Sequence, residues 1–521
     1  MVDASDGDGY VYVGLAVVSL FVVLLAWRSR SPAVHGEGDG GLRLPPGPWT
    51  LPVIGSLHHL AGQLPHRAMR DLARRHGPVM LLRIGEVPTL VVSSRDTARE
   101  VMKTHDMAFA TRPLSATLRV ITCDGRDLVF APYGDYWRQV RKIAVTELLT
   151  VRRVSSFRSI REEEVAAVLR TVAAAAAVGE AAPARTVEMR AALSALVTDI
   201  MARTAFGNRC KDREEYLVLL ERIIEIAGGF NPADLWPSSR LAGRLSGVVR
   251  RAEACRNSAF KILDGIIQEH QERTGAGSED LVDVLLRIQK EGELQFPLAM
   301  DDIKSIIFDI FNAGIETSGT TLQWAMAELI RNPTVMHKAT AEVRHAFAAA
   351  GAVSEDALGE LRYLQLVIRE TLRLHPPLPL LLPRECREPC RVLCYDVPRG
   401  TQELVNAWAI GRDERYWPGG SPEEFRPERF DDGEATAAVD FRGADFELLP
   451  FGGGRRMCPG MAFGLANVEL PLSSLLFHFD WEVPGMADPT KLDMTEAFGI
   501  TSRRKENLHL RPLLRVSVPG V

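Results

Sequence analysis

The chain has 521 residues, 46% hydrophobic and 25% charged, an ordinary globular composition with enough length for one large domain or several smaller ones. A formal net charge of -5 lacks the basic excess of a nucleic-acid binder, so no nucleic acid is expected as a partner. Seven cysteines, an odd number scattered at 123, 210, 255, 386, 390, 394 and 458, make no disulfide framework and suit a reducing compartment.

Residues 10–27, YVYVGLAVVSLFVVLLAW, carry no charge and are long enough to cross a bilayer as a helix. Acidic Asp3, Asp6 and Asp8 precede the run, and Arg28 and Arg30 follow it. Basic residues stay on the cytosolic side, which predicts a lumenal tail over 1–9, a transmembrane anchor over 10–27 and a cytosolic body. A cleaved secretory signal would carry its positive charge before the apolar run. Residues 28–50 read as a linker and a stiff hinge with Pro45, Pro46 and Pro48, and 51–521 as one catalytic domain. Within the linker Gly36, Gly38 and Gly41 satisfy G-x-G-x-x-G, but neither a strand before nor a helix after supports a dinucleotide site.

Val79 to Ser94 reads as a hairpin turning at Gly85-Glu86, with β-branched residues on both arms. From about Asp96 to Pro376 the apolar spacing is mostly helical. The longest helix begins near Asp301 or Asp302, stops at Asn332-Pro333 and is apolar enough to run through the core. The fold class expected is mainly α with a minor β part.

In the middle of that helix lies AGIETS, Ala313 to Ser318. One reading has the Thr317 hydroxyl bonded back to the Ala313 carbonyl and Glu316 facing solvent. The other has a helix loosened beside a reaction site, with Thr317 and Glu316 as a hydroxyl and a carboxylate for proton delivery. Further on, Glu370 and Arg373 share a helical face amid apolar neighbours. A buried pair of this kind needs another partner, which Arg429 of FRPERF supplies. Trp137 and Arg141 share a face four residues apart. Cys386, Cys390 and Cys394 are spaced too widely for a typical zinc site and read as ordinary thiols.

The last motif is PFGGGRRMCPGMAFG, residues 450–464. Its glycines let a large group approach the backbone, its arginines suit an anion, and a cysteine at a helix entry is favoured as a thiolate. Phe451, Gly454, Arg456, Cys458 and Gly460 meet the pattern F-x-x-G-x-R-x-C-x-G. With E-x-x-R and A-G-x-E-T-S in the same order, the chain resembles a cytochrome P-450 over essentially its whole length. LPPGPWTLPVIGSLHHL and FAPYGDYWRQVRK are similar to the plant microsomal A-type branch, and PRECREPCRV is most similar to grass terpenoid oxidases.

The resemblance implies a haem-thiolate monooxygenase: a single large domain in the cytochrome P-450 fold, holding haem b (iron protoporphyrin IX) with Cys458 as the axial ligand. It implies Trp137, Arg141, Arg384 and Arg456 as haem-propionate partners, and Phe451 and Gly460 against the porphyrin. Glu370, Arg373 and Arg429 become a structural triad, and Thr317 and Glu316 the proton-delivery pair. Ile121, Ala313, Leu381 and Ile500 would line the substrate pocket, with Ile315 narrowing it. The implied partners are a small apolar substrate, the NADPH–cytochrome P-450 reductase and the endoplasmic reticulum membrane. The rival readings are a haem-thiolate isomerase or dehydratase, and a catalytically silent membrane-anchored haem or lipid binder.

Overall fold

A computed structural model describes residues 41–176, 186–209, 213–228, 230–273 and 279–520. The anchor expected over 10–27 lies outside these residues. Among the described residues no helix is long and apolar enough to cross a membrane.

The helical reading between about 96 and 376 is realised, and seven of the helices position the site: α1 (Pro65–His76), α2 (Asp135–Ile143), α3 (Met189–Phe206), α4 (Met300–Arg331), α5 (Pro333–Phe347), α6 (Arg362–Leu374) and α7 (Met461–His478). The expected long helix is α4, 32 residues without a break, roughly 48 Å of axis. Asp302 caps it by reaching back to the Ala299 N–H at 2.8 Å, while Arg126 forks onto both its oxygens at 2.5 and 2.9 Å. Asn332 ends it, its side chain donating to the Glu328 carbonyl at 2.8 Å, and Pro333 starts α5.

The core forms around α4, which packs against α3, α6 and α7. Gly314 leaves room for the Met201 side chain of α3: a Cβ there would stand 2.5 Å from the Met201 methyl. Ile315 is buried in this core and is not among the cavity-lining residues. The expectation that it narrows the pocket is therefore corrected: Ile315 points between helices.

Among the described residues the minor β part makes three sheets, one of them formed by Val187–Glu188, Phe479–Glu482 and His509–Leu514. Strands β1 (Val79–Ile84) and β2 (Val87–Val92) form the expected hairpin, Val79 opposite Val92, with Gly85 at φ +66 in the turn. Then come β3 (Arg384–Glu385), β4 (Cys390–Val392), β5 (Tyr395–Val397) and β6 (Gln402–Val405). Four of these make one sheet in the order β1-β2-β6-β3, with β2 and β6 parallel, while β4 and β5 pair separately.

Candidate active site

The loop Pro450 to Gly460 runs into α7, whose first residue is Met461. Gly454 has φ +66, and a Cβ on it would lie 2.2 Å from the Met102 carbonyl oxygen, so both conformation and space demand glycine. The Cys458 N–H donates to the Phe451 carbonyl at 3.0 Å and closes the loop. The Cys458 residue is exposed by area, yet protein surrounds it on every side, because the surface it exposes lines an interior cavity. Burial pushes the thiol pKa up, while the Gly460 N–H and Arg141 pull it down. A cation at the sulfur reverses the net sign, since metal ligation deprotonates a thiol.

The cavity holds about 1490 Å³ of atom-free space, its opening included. Cys458, Phe451, Gly460 and Phe463 line it from the cysteine loop and α7, and Asp309, Ala313 and Thr317 line it from α4 at intervals of four.

Four buried or half-buried arginines converge on the same space: Arg112, Arg141, Arg384 and Arg456. Each is anchored by backbone carbonyls. Arg141 donates to Met457 at 2.6 Å, Arg384 to Gly453 at 2.7 Å, and Arg112 to Leu382 at 2.6 Å and Pro383 at 2.8 Å. Arg456 donates to Ala110 at 2.6 Å and Ala131 at 2.5 Å, with its guanidinium 4.0 Å above the Trp137 ring. Trp137 itself donates to the Leu128 carbonyl at 3.1 Å. Its ring lines the cavity and also carries the Arg456 guanidinium.

These positive charges are undercompensated. Burial first, then Arg384, lowers Arg456 to about 9. Burial together with Arg384 and Arg456 holds Arg112 well below the usual arginine range. Arg112 Nε and Arg384 Nη1 are buried without a hydrogen-bond partner, and the nearest carboxylate to Arg384 Nη1, Asp106, is 3.6 Å away. Buried donors left unpaired beside a cavity call for an acceptor. One sulfur in the wall, guanidinium groups at the rim and aromatic and glycine surfaces between them fit a flat metal macrocycle with acidic side groups. Arg112 was not singled out from the sequence, where it stands only as an arginine before Pro113.

On α4 the Thr317 hydroxyl donates to the Ala313 carbonyl at 2.7 Å and still lines the cavity, so the back-bond and the place beside a reaction site coexist, while the expected loosening is corrected: the helix is continuous through Gly314. Glu316 faces neither open solvent nor the cavity: its carboxylate accepts from the Thr501 hydroxyl at 2.6 Å and lies 3.6 Å from Arg503. Asp309 accepts from the Leu128 and Val129 N–H groups, both at 2.9 Å. Its pKa is pushed up by burial and by Asp127.

Ala313 and Leu381 line the main cavity. Leu381 has φ +52, strained for a bulky residue, and also faces a second cavity of about 1000 Å³. Ile500 lines that second cavity. Ile121 lines neither of the two and packs instead into the helical core.

Glu370, Arg373 and Arg429 meet as the spacing implied. Glu370 takes Arg373 at 2.6 and 2.7 Å and Arg429 Nε at 2.9 Å. Arg373 also donates to the Gly411 and Pro422 carbonyls and stacks its guanidinium 5.0 Å from the Trp417 ring.

Comparison with known proteins gives the same answer. Residues 45–510 match the family model described as Cytochrome P450. Desmethyl-deoxy-podophyllotoxin synthase of Sinopodophyllum hexandrum is 48% identical, over 96% of this chain and 97% of its own. Dolabradiene monooxygenase of Zea mays is 47% identical, over 97% and 98%. Premnaspirodiene oxygenase of Hyoscyamus muticus is also 47% identical, over 95% and 96%. A zebra fish cytochrome P450 structure with abiraterone superposes with a TM-score of 0.71 at 25% identity, covering 87% of this chain and 99% of that one. With a family match across most of its length and relatives near half identity, the chain belongs to the cytochrome P450 family and is a haem-thiolate monooxygenase.

Proposed function

We propose that the chain inserts one oxygen atom from O₂ into a small apolar terpenoid. The electrons come from NADPH through the NADPH–cytochrome P-450 reductase at the endoplasmic reticulum membrane. The observation that carries the substrate class is the mainly apolar wall beyond the arginine rim, formed by Leu128, Val129, Ile310, Ala313, Leu378 and Leu381. Such a wall binds hydrocarbon and offers little to a polar molecule. Two relatives near half identity are named for dolabradiene and premnaspirodiene, which supports the same class.

In this reading Cys458 would ligate the haem iron, Arg112, Arg141, Arg384 and Arg456 would receive the propionates, and Phe451 and Gly460 would make room for the ring. Bound haem supplies O₂ activation, and thiolate ligation enriches the iron in electron density and favours O–O cleavage. Thr317 Oγ1, held by the Ala313 carbonyl at 2.7 Å, holds a water or proton at the cavity wall. Glu316 would supply protons only after its carboxylate leaves Thr501 and Arg503, which hold it away from the cavity. Asp309 and Trp137 fix Leu128 and Val129 in the wall, which sets the shape a substrate meets. Residues 1–9 form the lumenal tail, 10–27 the membrane anchor, 28–50 the linker and hinge, and 51–521 the catalytic domain on the cytosolic face.

The test is co-expression with a plant reductase, feeding pooled terpenes, alkaloids and phenolics under ¹⁸O₂. A terpene product carrying a single labelled oxygen, formed only with NADPH, is expected. Turnover confined to alkaloids or phenolics would overturn the substrate class, and an unlabelled product would overturn the oxygen insertion.

A further inference from the structure

Strand β3 ends at Glu385, and the next residue, Cys386, is completely buried. Its backbone is fixed from both sides: its N–H donates to the Thr401 carbonyl at 2.9 Å, and its carbonyl accepts from the Gly400 N–H at 2.8 Å. The chain then turns through Arg387, Glu388 and Pro389 and enters β4 at Cys390, which is half-buried. This turn brings the two sulfurs to 3.9 Å, with the Cys386 thiol also 3.0 Å from the Glu388 carbonyl.

We propose that Cys386 and Cys390 form an oxidisable dithiol, which hydrogen peroxide closes to a disulfide just after the strand that carries Arg384. The sulfurs must approach by about 2 Å to reach bonding distance. Cys386 cannot supply that movement, being locked to the turn at Gly400 and Thr401. Cys390 can, because β4 and β5 form a sheet of their own outside the four-stranded one. The half-buried side chain of Cys390 has more room to turn than that of the fully buried Cys386.

The pair shares hydrogen as well as space. Either sulfur can donate across this contact, and donation from Cys390 lowers the Cys386 pKa against burial and the charges of Glu388 and Glu385. The same contact raises Cys390. The first proton therefore leaves Cys386 in preference to Cys390, and the charge that remains is shared across the contact. The half-buried Cys390 is the sulfur that an oxidant from solvent meets. As its proton passes to the Cys386 thiolate, the Cys390 sulfur attacks one peroxide oxygen, the O–O bond breaks, and Cys390 becomes a sulfenic acid while hydroxide leaves and takes up a proton. Cys386 then attacks the Cys390 sulfur, the S–O bond breaks, and water leaves as the S–S bond forms. Two thiols are oxidised, one peroxide is reduced, and two waters result. Thiol reductants of a cytosol reopen such a bond, as for other transient intracellular disulfides.

The sequence makes the test direct. Trypsin cuts after Arg384, Arg387 and Arg391, which places the two cysteines on separate peptides. Full-length protein is reduced, exposed to hydrogen peroxide, alkylated and digested. The expected result is that residues 385–387 and 388–391 are recovered as one linked species, lighter than the two free peptides together by two hydrogens. It separates again on reduction, and alkylation at both cysteines falls in step. Recovery of both cysteines alkylated after peroxide would overturn the proposal. So would independent sulfinic acids on each, or Cys390 linked to Cys394. The measurement reads the wild-type chain, so no variant has to fold for it to decide.

Discussion

Glu370 and Arg373 sit three residues apart on α6 in a two-armed ion pair at 2.6 and 2.7 Å, with no solvent exposure on either side chain. Removing the carboxylate leaves Arg373 and Arg429 buried with mutual repulsion and no counter-charge. Breaking a buried pair from one side costs about 3–5 kcal/mol, a large part of a typical domain's stability. Glu370→Ala should therefore yield little folded haem protein, read as loss of the thiolate-type CO spectrum in membranes. Near-normal yield would mean that the pair is dispensable for folding.

Much of this was legible beforehand because the signals were local. The E-x-x-R spacing puts Glu370 and Arg373 on one helical face whatever the rest of the chain does, and Asn332-Pro333 must end α4. What stayed hidden depends on contacts across hundreds of residues. Arg112 gains its meaning only because β3 and the cysteine loop bring Arg384 and Arg456 beside it. Glu316 looked free to face solvent or the reaction because nothing nearby in sequence announces Thr501 and Arg503. Family resemblance puts Ile315 and Ile121 at the pocket, whereas helix rotation turns each of them into packing.

Arg112 Nε is buried without a partner beside the cavity. If it serves the haem propionates, Arg112→Leu should weaken haem retention roughly ten- to a hundredfold, the worth of one or two charge-assisted hydrogen bonds. Transfer of haem to an excess of an acceptor apoprotein measures this. Unchanged transfer with lower thermal stability would assign Arg112 to the Leu382 and Pro383 carbonyls alone.

Glu469 on α7 is pushed up to about 7 from an ordinary 4.5, by burial and then by the charge of Glu355. Arg161 is engaged with Glu355, at 2.5 and 2.7 Å. Between those two pKa values the folded state keeps a proton that the unfolded state has released, so stability falls as pH rises through the window. The penalty is complete above the folded pKa and is at most about 3 kcal/mol. Glu469→Gln removes it. Melting temperatures of variant and wild type should nearly coincide at about pH 5, with the variant higher at about pH 8. Parallel pH profiles would show that Glu469 is solvated.

Removing residues 1–30 should release much of the protein from membranes while leaving haem content intact. Some association should persist, because Trp49, Val53, Leu241 and Leu245 are exposed apolar residues, and Trp236 ties the Leu241 region to Val53 at 2.9 Å. Fractionation of truncated and full-length protein between membrane and supernatant reads the effect. Equal distribution would remove the anchor from residues 10–27.

The back-bond from Thr317 to Ala313, at 2.7 Å, makes Thr317→Ala the sharpest test of the site. If the hydroxyl serves only its own helix, its loss costs about 1 kcal/mol of stability and little else. If it also holds water and proton at the cavity wall, haem content, CO binding and reduction should stay near normal while NADPH consumption continues. More of that NADPH should then end as hydrogen peroxide and less as product. The quantity to measure is product formed per NADPH consumed, with the same reductase and substrate for both proteins. A fall in that ratio assigns proton handling to Thr317 Oγ1. An unchanged ratio makes Thr317 a helix residue. The protons would then have to come from Glu316, whose carboxylate must first leave Thr501 and Arg503 to reach the cavity.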